Sequence, residues 1–417
     1  MNPARILVLA WRNLWRNRRR TGIAVSMVAV GLSLAIFAIG LGDGGHVQMI
    51  RSAIRMGEGH LTIQPRGYLA TPSNDLYLRL GEALLTHPPL VTAEARVAPR
   101  IALQVLVSTA YNSLGVGLEG IEPRADPFTD LLRPRLTDGA WLEPGDDTGV
   151  LVGRHMADKL HVRIGSKLVV MAGGSGGEVE SRLGRVRGIF ESGLEQLDSY
   201  LLLTTLPFAR PLLPGLQRGR DDQAVTRLAV FLDDPDQLPA LKARLTASPP
   251  PEGVVLDWQE MMPHVFNFII VDDLFNYIWL AFILAMVAFG IVNTILMSAL
   301  ERTREFGLLR ALGMKGGTVL VLMLCETVLL ALVAMAVGWG IGGGAHLYFA
   351  FNGLDLTALY PEGVETGGMY MEPIIYSHLS LARVLALSGI VFVTTLLSGL
   401  YPAFKAAGIS PVAALRT

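Results

Sequence analysis

Four apolar stretches constrain this chain more than any other feature: about Gly22–Gly42, Leu274–Leu300, Thr318–Gly344 and Val384–Phe404. Each reaches the roughly 20 apolar residues that a helix needs to cross the hydrocarbon core of a bilayer. Composition agrees. Hydrophobic residues make up 51% of the chain and charged residues 17%, with a mean hydropathy of +0.43. Soluble domains carry about 25% charged residues. The formal net charge of −1 provides no overall field that would attract nucleic acid.

Positive charge orients the spans. Arg5, Arg12, Arg16, Arg18, Arg19 and Arg20 precede the first one, which puts the N-terminus on the cytoplasmic side. The loop near 299–317 and the tail carrying Lys405 and Arg416 then fall on that side too, and the roughly 230 residues between the first two spans fall outside. The first apolar stretch is longer than the 7–15 residues usual for the core of a cleaved signal peptide, so it is expected to stay as an anchor. Cys325 is the lone cysteine and falls within the third span, where it reads as a small buried hydrophobe.

Residues 299–315 separate the second and third spans with six charges: Glu301, Arg302, Arg304, Glu305, Arg310 and Lys315. Apolar Phe306, Leu308, Leu309 and Leu312 alternate with them among strong helix formers. That composition fits either a solvated loop or a short amphipathic helix that docks into another surface. The run Glu301-Arg-Thr-Arg-Glu-Phe-Gly307-Leu-Leu-Arg-Ala-Leu-Gly313 resembles the coupling-helix signature of the FtsX/MacB/LolC–LolE family of ABC transporter permeases. Ser398–Arg416 is similar to the C-terminal ending of that family, and Trp11-Arg-Asn-Leu-Trp-Arg-Asn-Arg-Arg-Arg-Thr21 to its N-terminal elbow helix.

The resemblance implies an α-helical membrane protein with four transmembrane helices and a large mixed α/β extracytoplasmic domain of Porter/Sabre type. The expected division is an elbow helix at 1–20, the first span and stalk at 21–44, a periplasmic domain at 45–270, the second span at 271–300 and the coupling helix at 301–315. The third span follows at 317–344, a periplasmic loop at 345–380, the fourth span at 381–404 and a cytoplasmic tail at 405–417. Within the periplasmic domain, Porter is expected at 45–105 and 205–265 with Sabre, 106–204, inserted. Val150–Gly165 and Val186–Ser192 resemble Sabre, and Thr226–Leu245 the returning part of Porter. Independently, Ile101–Val107, Lys167–Met171 and Leu228–Leu232 read as strands, and Asp236–Leu245 as a helix ended by the prolines of 248–253.

Catalytic motifs are missing from the sequence. Gly173-Gly-Ser-Gly-Gly177 lacks the form of a phosphate-binding loop and reads as a hairpin turn. His155 and His161, with Asp158 between them, are poorly spaced for a metal; no metal site and no enzyme site is expected. ATP and Mg²⁺ would therefore sit on a separate ATPase, and this chain would bind no cofactor.

The resemblance assigns ATPase coupling to Glu301, Arg302, Arg304, Glu305, Phe306, Gly307, Leu308, Leu309, Arg310, Leu312 and Gly313. Glu326, ionisable within the third span, is expected to hydrogen-bond between spans rather than relay protons. Gly338/Gly342 and Gly340/Gly344 are small-residue pairs suited to close helix packing. Leu41, Phe268, Phe275, Ile278 and Phe282 are candidates for a lateral substrate cleft near the stalks. Expected partners are a cytoplasmic ABC ATPase dimer, a second permease copy or paralogue, a periplasmic chaperone or adaptor, membrane lipids and a lipoprotein or other amphiphilic cargo, with no nucleic acid. The location implied is the bacterial inner membrane. Four spans, one large domain and no fused ATPase resemble LolC and LolE, which implies lipoprotein extraction; efflux through an adaptor, or signalling to a periplasmic hydrolase, is the alternative.

A reporter fused near Ser175 is expected to be active only outside the inner membrane; a cytoplasmic signal would overturn this topology.

Overall fold

The computed structural model describes residues 3–55, 59–79, 95–216, 223–248, 253–360, 364–366, 369–371 and 373–408. The expected tail beyond 408, the proline turn at 249–252 and the loop residues 361–363 lie outside the described residues. The chain divides into two compact units. One comprises residues 1–48, 268–361 and 372–417, the other 49–267 and 362–371.

The first unit is helical. An N-terminal helix, Pro3–Arg16, buries Ile6, Ala10 and Leu14, spaced four apart and so on one face. Its other face exposes Leu7, Val8, Trp11 and Trp15, the pattern of a helix lying in a membrane interface. The four long apolar helices are Arg18–Ala53, Pro263–Glu301, Gly316–Asn352 and Leu381–Ala407. At 1.5 Å per residue, the first and second are about 54 and 58 Å long, well beyond the roughly 30 Å hydrocarbon core. The first helix continues to Ala53, with Met49 and Ala53 buried along the expected stalk.

The third helix runs through its glycine-rich segment to Asn352 instead of stopping at 344. Added side chains explain two of these glycines. A Cβ on Gly342 would lie 2.8 Å from the Ser33 Cα, and one on Gly338 3.0 Å from Leu32. Gly338 and Gly342 thus let the first and third spans touch backbone to backbone. Gly340 and Gly344 face open space. Gly399 of the fourth span does the same job against Thr327 of the third, where a Cβ would meet the Thr327 side chain at 2.5 Å.

The second unit is built on a ten-stranded mixed sheet. Its strands, with two short ones that pair apart from it, are β1 (Leu61–Pro65), β2 (Leu78–Arg79), β3 (Ala95–Ser108), β4 (Ser113–Ile121), β5 (Leu136–Gly139), β6 (Gly149–Gly153), β7 (Lys167–Gly173), β8 (Val179–Phe190), β9 (Leu201–Thr205), β10 (Ala224–Val225), β11 (Arg227–Leu232) and β12 (Gly253–Asp257). The order is β12-β1-β11-β3-β4-β9-β6-β8-β5, with β7 bridging β3 and β8; β2 and β10 form the separate pair. The 14-residue β3 organises the sheet. Ala95–Arg100 pair with β11, and Ile101–Ser108 with β4. One strand therefore serves both halves of the unit and crosses residue 105 unbroken. The expected strands lie within β3, β7 and β11, and the expected helix is Leu238–Ala247. Gly173–Gly177 turns between antiparallel β7 and β8, and His161 caps the helix Arg154–Leu160 in a left-handed conformation at φ 53°.

At the junction in β3, Arg100 is fully buried. Its Nε and Nη2 donate to the two carboxylate oxygens of Asp126 at 2.7 and 2.6 Å. Asp126 also caps the helix Pro127–Leu132, and the Phe128 and Phe231 rings flank the guanidinium at 5.2 and 5.7 Å. Removing one partner of a buried ion pair typically costs about 3–5 kcal/mol. Asp126→Ala is therefore expected to destabilise the sheet by about that amount and to speed amide hydrogen exchange in β3 and β11. Unchanged protection of both strands would contradict the assignment.

Candidate functional site

The second span ends at Glu301, and a separate helix, Thr303–Ala311, begins two residues later. This short helix ends in a turn at Gly313, whose φ of 94° suits glycine, before the third span starts. The break separates residues with different surroundings. Arg302, Phe306 and Gly307 are buried, and Phe306 is completely inaccessible. Arg304, Leu308 and Leu312, spaced four apart, are exposed; Leu308 is 54% and Leu312 79% exposed. Leu309 and Arg310 are intermediate, and Gly313 is exposed.

The inward face is fixed by charge. Arg302 Nη1 donates to both carboxylate oxygens of Glu326 at 3.2 Å, and its guanidinium stacks 4.9 Å from the Phe306 ring. The two side chains retain only 10% and 15% of their accessible surface. Asn13 of the N-terminal helix donates to Glu326 at 2.7 Å. Glu305 accepts from Arg16 at 3.0 and 3.1 Å and from Arg302 at 3.3 Å. Arg20, at the start of the first span, pairs with Glu301 at 2.5 Å. Arg310 donates to the Ala407 carbonyl at the end of the fourth span at 3.3 Å. Burial would raise the Glu305 carboxyl above its ordinary value, but the hydrogen bonds and charges of Arg16 and Arg302 outweigh this and hold it below. These contacts link the short helix and the Arg302 before it to the N-terminal helix and to the third and fourth spans, while Arg20–Glu301 ties the first span to the second.

The residues assigned to coupling therefore divide. Glu301, Arg302, Glu305, Phe306 and Arg310 seat the helix, whereas Arg304, Leu308 and Leu312 form the surface it presents. Asn13, Arg16 and Arg20 belong to the seam although sequence reasoning did not single them out. Their sequence signal was the Trp11–Thr21 run that holds all three and the density of Arg before the first span.

A second Arg-centred network lies at the opposite end of the helical unit. Arg383, in the first turn of the fourth long helix, donates through Nη2 to Asp273 at 2.9 and 2.8 Å and lies 3.3 Å from Asp43. It also bonds the Tyr277 hydroxyl, and His46 pairs with Asp272 at 2.8 Å. Asp43, His46 and Asp273 offer ligand atoms within 4.8 Å of one another. The Arg383 guanidinium bridges the Asp43 and Asp273 carboxylates and so ties the first, second and fourth spans together. The adjacent acids Asp272 and Asp273 at the edge of an apolar run were its overlooked signal.

The proposed cleft residues do not share one environment. Phe275, Ile278 and Phe282 are 58%, 43% and 64% exposed on the second span, while Leu41 and Phe268 are half-buried. A long apolar groove does run between the first and second spans, lined by Met27, Val30, Met286 and Phe289 among others, but none of the five lines it.

Four helices long and apolar enough to cross a membrane, with a short charged helix between the second and third, define a multi-span membrane protein. Residues 277–411 match the family model of the FtsX-like permease C-terminal domain, and residues 21–248, more than half the chain, match the MacB-like periplasmic core domain. The chain belongs to the FtsX/MacB/LolC–LolE family of ABC transporter permeases. The lipoprotein-releasing system transmembrane protein LolC of Neisseria meningitidis is 23% identical over 335 residues, covering 76% of this chain and 77% of that protein. LolE of Haemophilus influenzae is 19% identical over 425 residues, covering 98% of each. The macrolide export ATP-binding/permease protein MacB of Syntrophobacter fumaroxidans is 35% identical over 128 residues, covering 30% of this chain and 15% of that protein.

Proposed function

We propose that this chain couples ATP hydrolysis by a separate ATPase dimer to mechanical work outside the inner membrane, and that its cargo is a lipoprotein or lipid-like amphiphile. The short helix Thr303–Ala311 carries this reading. One face is locked to the spans by Arg302, Glu305 and Phe306, and the other offers Arg304, Leu308 and Leu312 to a partner. A helix held this way transmits force, because displacing it strains the ion pairs to the N-terminal helix and to the third span. ATP and Mg²⁺ would be held by the ATPase, since the sequence has no GxxxxGK[ST] motif.

The lipoprotein reading rests on full-length likeness to proteins named for lipoprotein release. Efflux with an adaptor and outer-membrane channel is the second reading. It is favoured by the higher identity to MacB over 128 residues. In either case the subunit pairs with a second copy or a paralogue, its termini are cytoplasmic, and its large domain meets a periplasmic chaperone or adaptor.

Leu308→Asp combined with Leu312→Asp is expected to reduce co-purification of the ATPase at least ten-fold, as a lost apolar contact of about 1.5–3 kcal/mol per side chain implies, with membrane insertion intact. Undiminished co-purification would refute the docking role of this face. Mass spectrometry of the same wild-type preparation tests the cargo: acylated lipoproteins released on ATP addition support extraction, and an adaptor without lipoprotein supports efflux.

A further inference from the structure

Between the third and fourth long helices the chain crosses back over the first. Leu354–Asp355 and Ile374–Ile375 pair as a short antiparallel ladder, and residues 376–380 run on to the fourth helix without helix or strand structure. Residues 374–380 form a strap seated in a notch that Gly40 and Gly44 leave in the first helix. A Cβ on Gly44 would overlap the Tyr376 carbonyl oxygen, and one on Gly40 would lie 2.6 Å from Ser377 Oγ. The His378 N–H donates to the Gly40 carbonyl at 2.8 Å, and the Ser377 N–H to the Phe349 carbonyl of the third helix at 3.2 Å. Ser377 is buried, and its hydroxyl lies 2.7 Å from His346 Nδ1. The strap thus joins the first and third helices at the end of the helical unit away from Thr303–Ala311.

The ionisable anchor of the strap is poorly matched. His346 lies beyond the apolar stretch that ends at Gly344, is half-buried, and has no carboxylate partner among the described residues. The first, second and fourth helices bring Asp43, His46, Asp272, Asp273 and Arg383 to this end, and these pair among themselves: Arg383 with Asp43 and Asp273, His46 with Asp272. Asp43 also faces His378. What acts on His346 is His378 of the strap itself: burial and a charge on His378 both oppose a proton there. Histidine changes charge between pH 5 and 8. A released strap would let water reach His346, so the seated strap takes up the proton less readily than the released one. Seating is therefore favoured as pH rises and opposed as pH falls. We propose that residues 374–380 are an acid-released strap, seated on the first helix while His346 is neutral and freed from the Gly40–Gly44 notch when His346 and His378 are both charged. The neighbouring His46–Asp272 pair responds in the opposite sense, since a charged His46 attracts the carboxylate more strongly. Mild acid would thus loosen the strap and leave the Arg383 network in place.

The test is hydrogen–deuterium exchange of the full chain in nanodiscs at about pH 7.5 and about pH 5.5, corrected for the intrinsic effect of pH on exchange. The Ser377 and His378 amides are expected to lose protection by at least about five-fold at the lower pH, the lower end of the usual coupling between two sites, while amides of Leu381–Ala407 keep theirs. His346→Gln, which keeps a hydrogen-bonding group but cannot charge, is expected to hold the strap equally protected at both pH values. Gly44→Ala, which fills the notch, is expected to leave it unprotected at both. Equal protection of the wild-type strap at the two pH values would overturn the proposal. So would a loss that persists in His346→Gln, or one abolished by His46→Gln instead, which would place the proton on the wrong histidine. Should His346→Gln disturb the Leu381–Ala407 amides, His378→Gln decides: this position is exposed, and removing its charge is expected to reduce the acid-induced loss. An undiminished loss in that variant would overturn the proposal.

Discussion

The buried ion pair between Arg302 and Glu326 is the contact on which the placement of the short helix depends. A carboxylate inside a span is costly in hydrocarbon, and a guanidinium at the same depth is no less so. Together, with Asn13 completing the carboxylate's hydrogen bonding, they become tolerable and demand a specific geometry. That geometry is the placement of the short helix. Arg302 is the single residue between the second span and this helix, so fixing its side chain fixes the angle between the two. Phe306 then stacks on the guanidinium and seals it from water.

At the other end of the helical unit, Arg383 has an equivalent role between Asp43 and Asp273. Between these two networks the spans are held by shape. Gly338 and Gly342 accept the first span, and Gly399 accepts Thr327. Apolar burial gives no preference between lipid and helix in a bilayer, so close backbone packing and a few interhelical polar contacts must do the work. The arrangement suits a subunit whose spans tilt as fairly rigid rods and whose charged ends set the permitted tilts. It carries force in the role proposed here, without the need for a polar channel between the spans.

The spans were legible because hydrocarbon leaves a sequence few options, and β3, β7 and β11 because alternating or continuous β-branched runs between glycines and prolines mark strands. The extension of the third helix beyond Gly344 to Asn352 was not legible. The close-packing role of Gly338 and Gly342 was, and the structure adds that Leu32 and Ser33 of the first span are what they meet. The short helix was recognisable from its residues, but its two faces were not. Nothing in the order Glu-Phe-Gly-Leu says that Phe306 is buried and Leu308 exposed, since both are apolar and two apart. Glu326 lies 24 residues from Arg302 and Asp43 lies 340 from Arg383, and a pairing over such distances leaves no local trace. The cleft residues were chosen for apolar character, which lipid-facing and groove-lining positions share.

The most direct test of this account asks whether Glu326 seats the short helix. Spin labels at Leu308→Cys, on the exposed face of that helix, and at Ile341→Cys, on an exposed position of the third span, would report their separation in a Cys325→Ser background. A single narrow distance distribution is expected, and Glu326→Ala should broaden it or add a second population. An unchanged narrow distribution after that substitution would mean that the helix is held by something other than the Arg302–Glu326 pair, and the account of how it is coupled to the spans would fail.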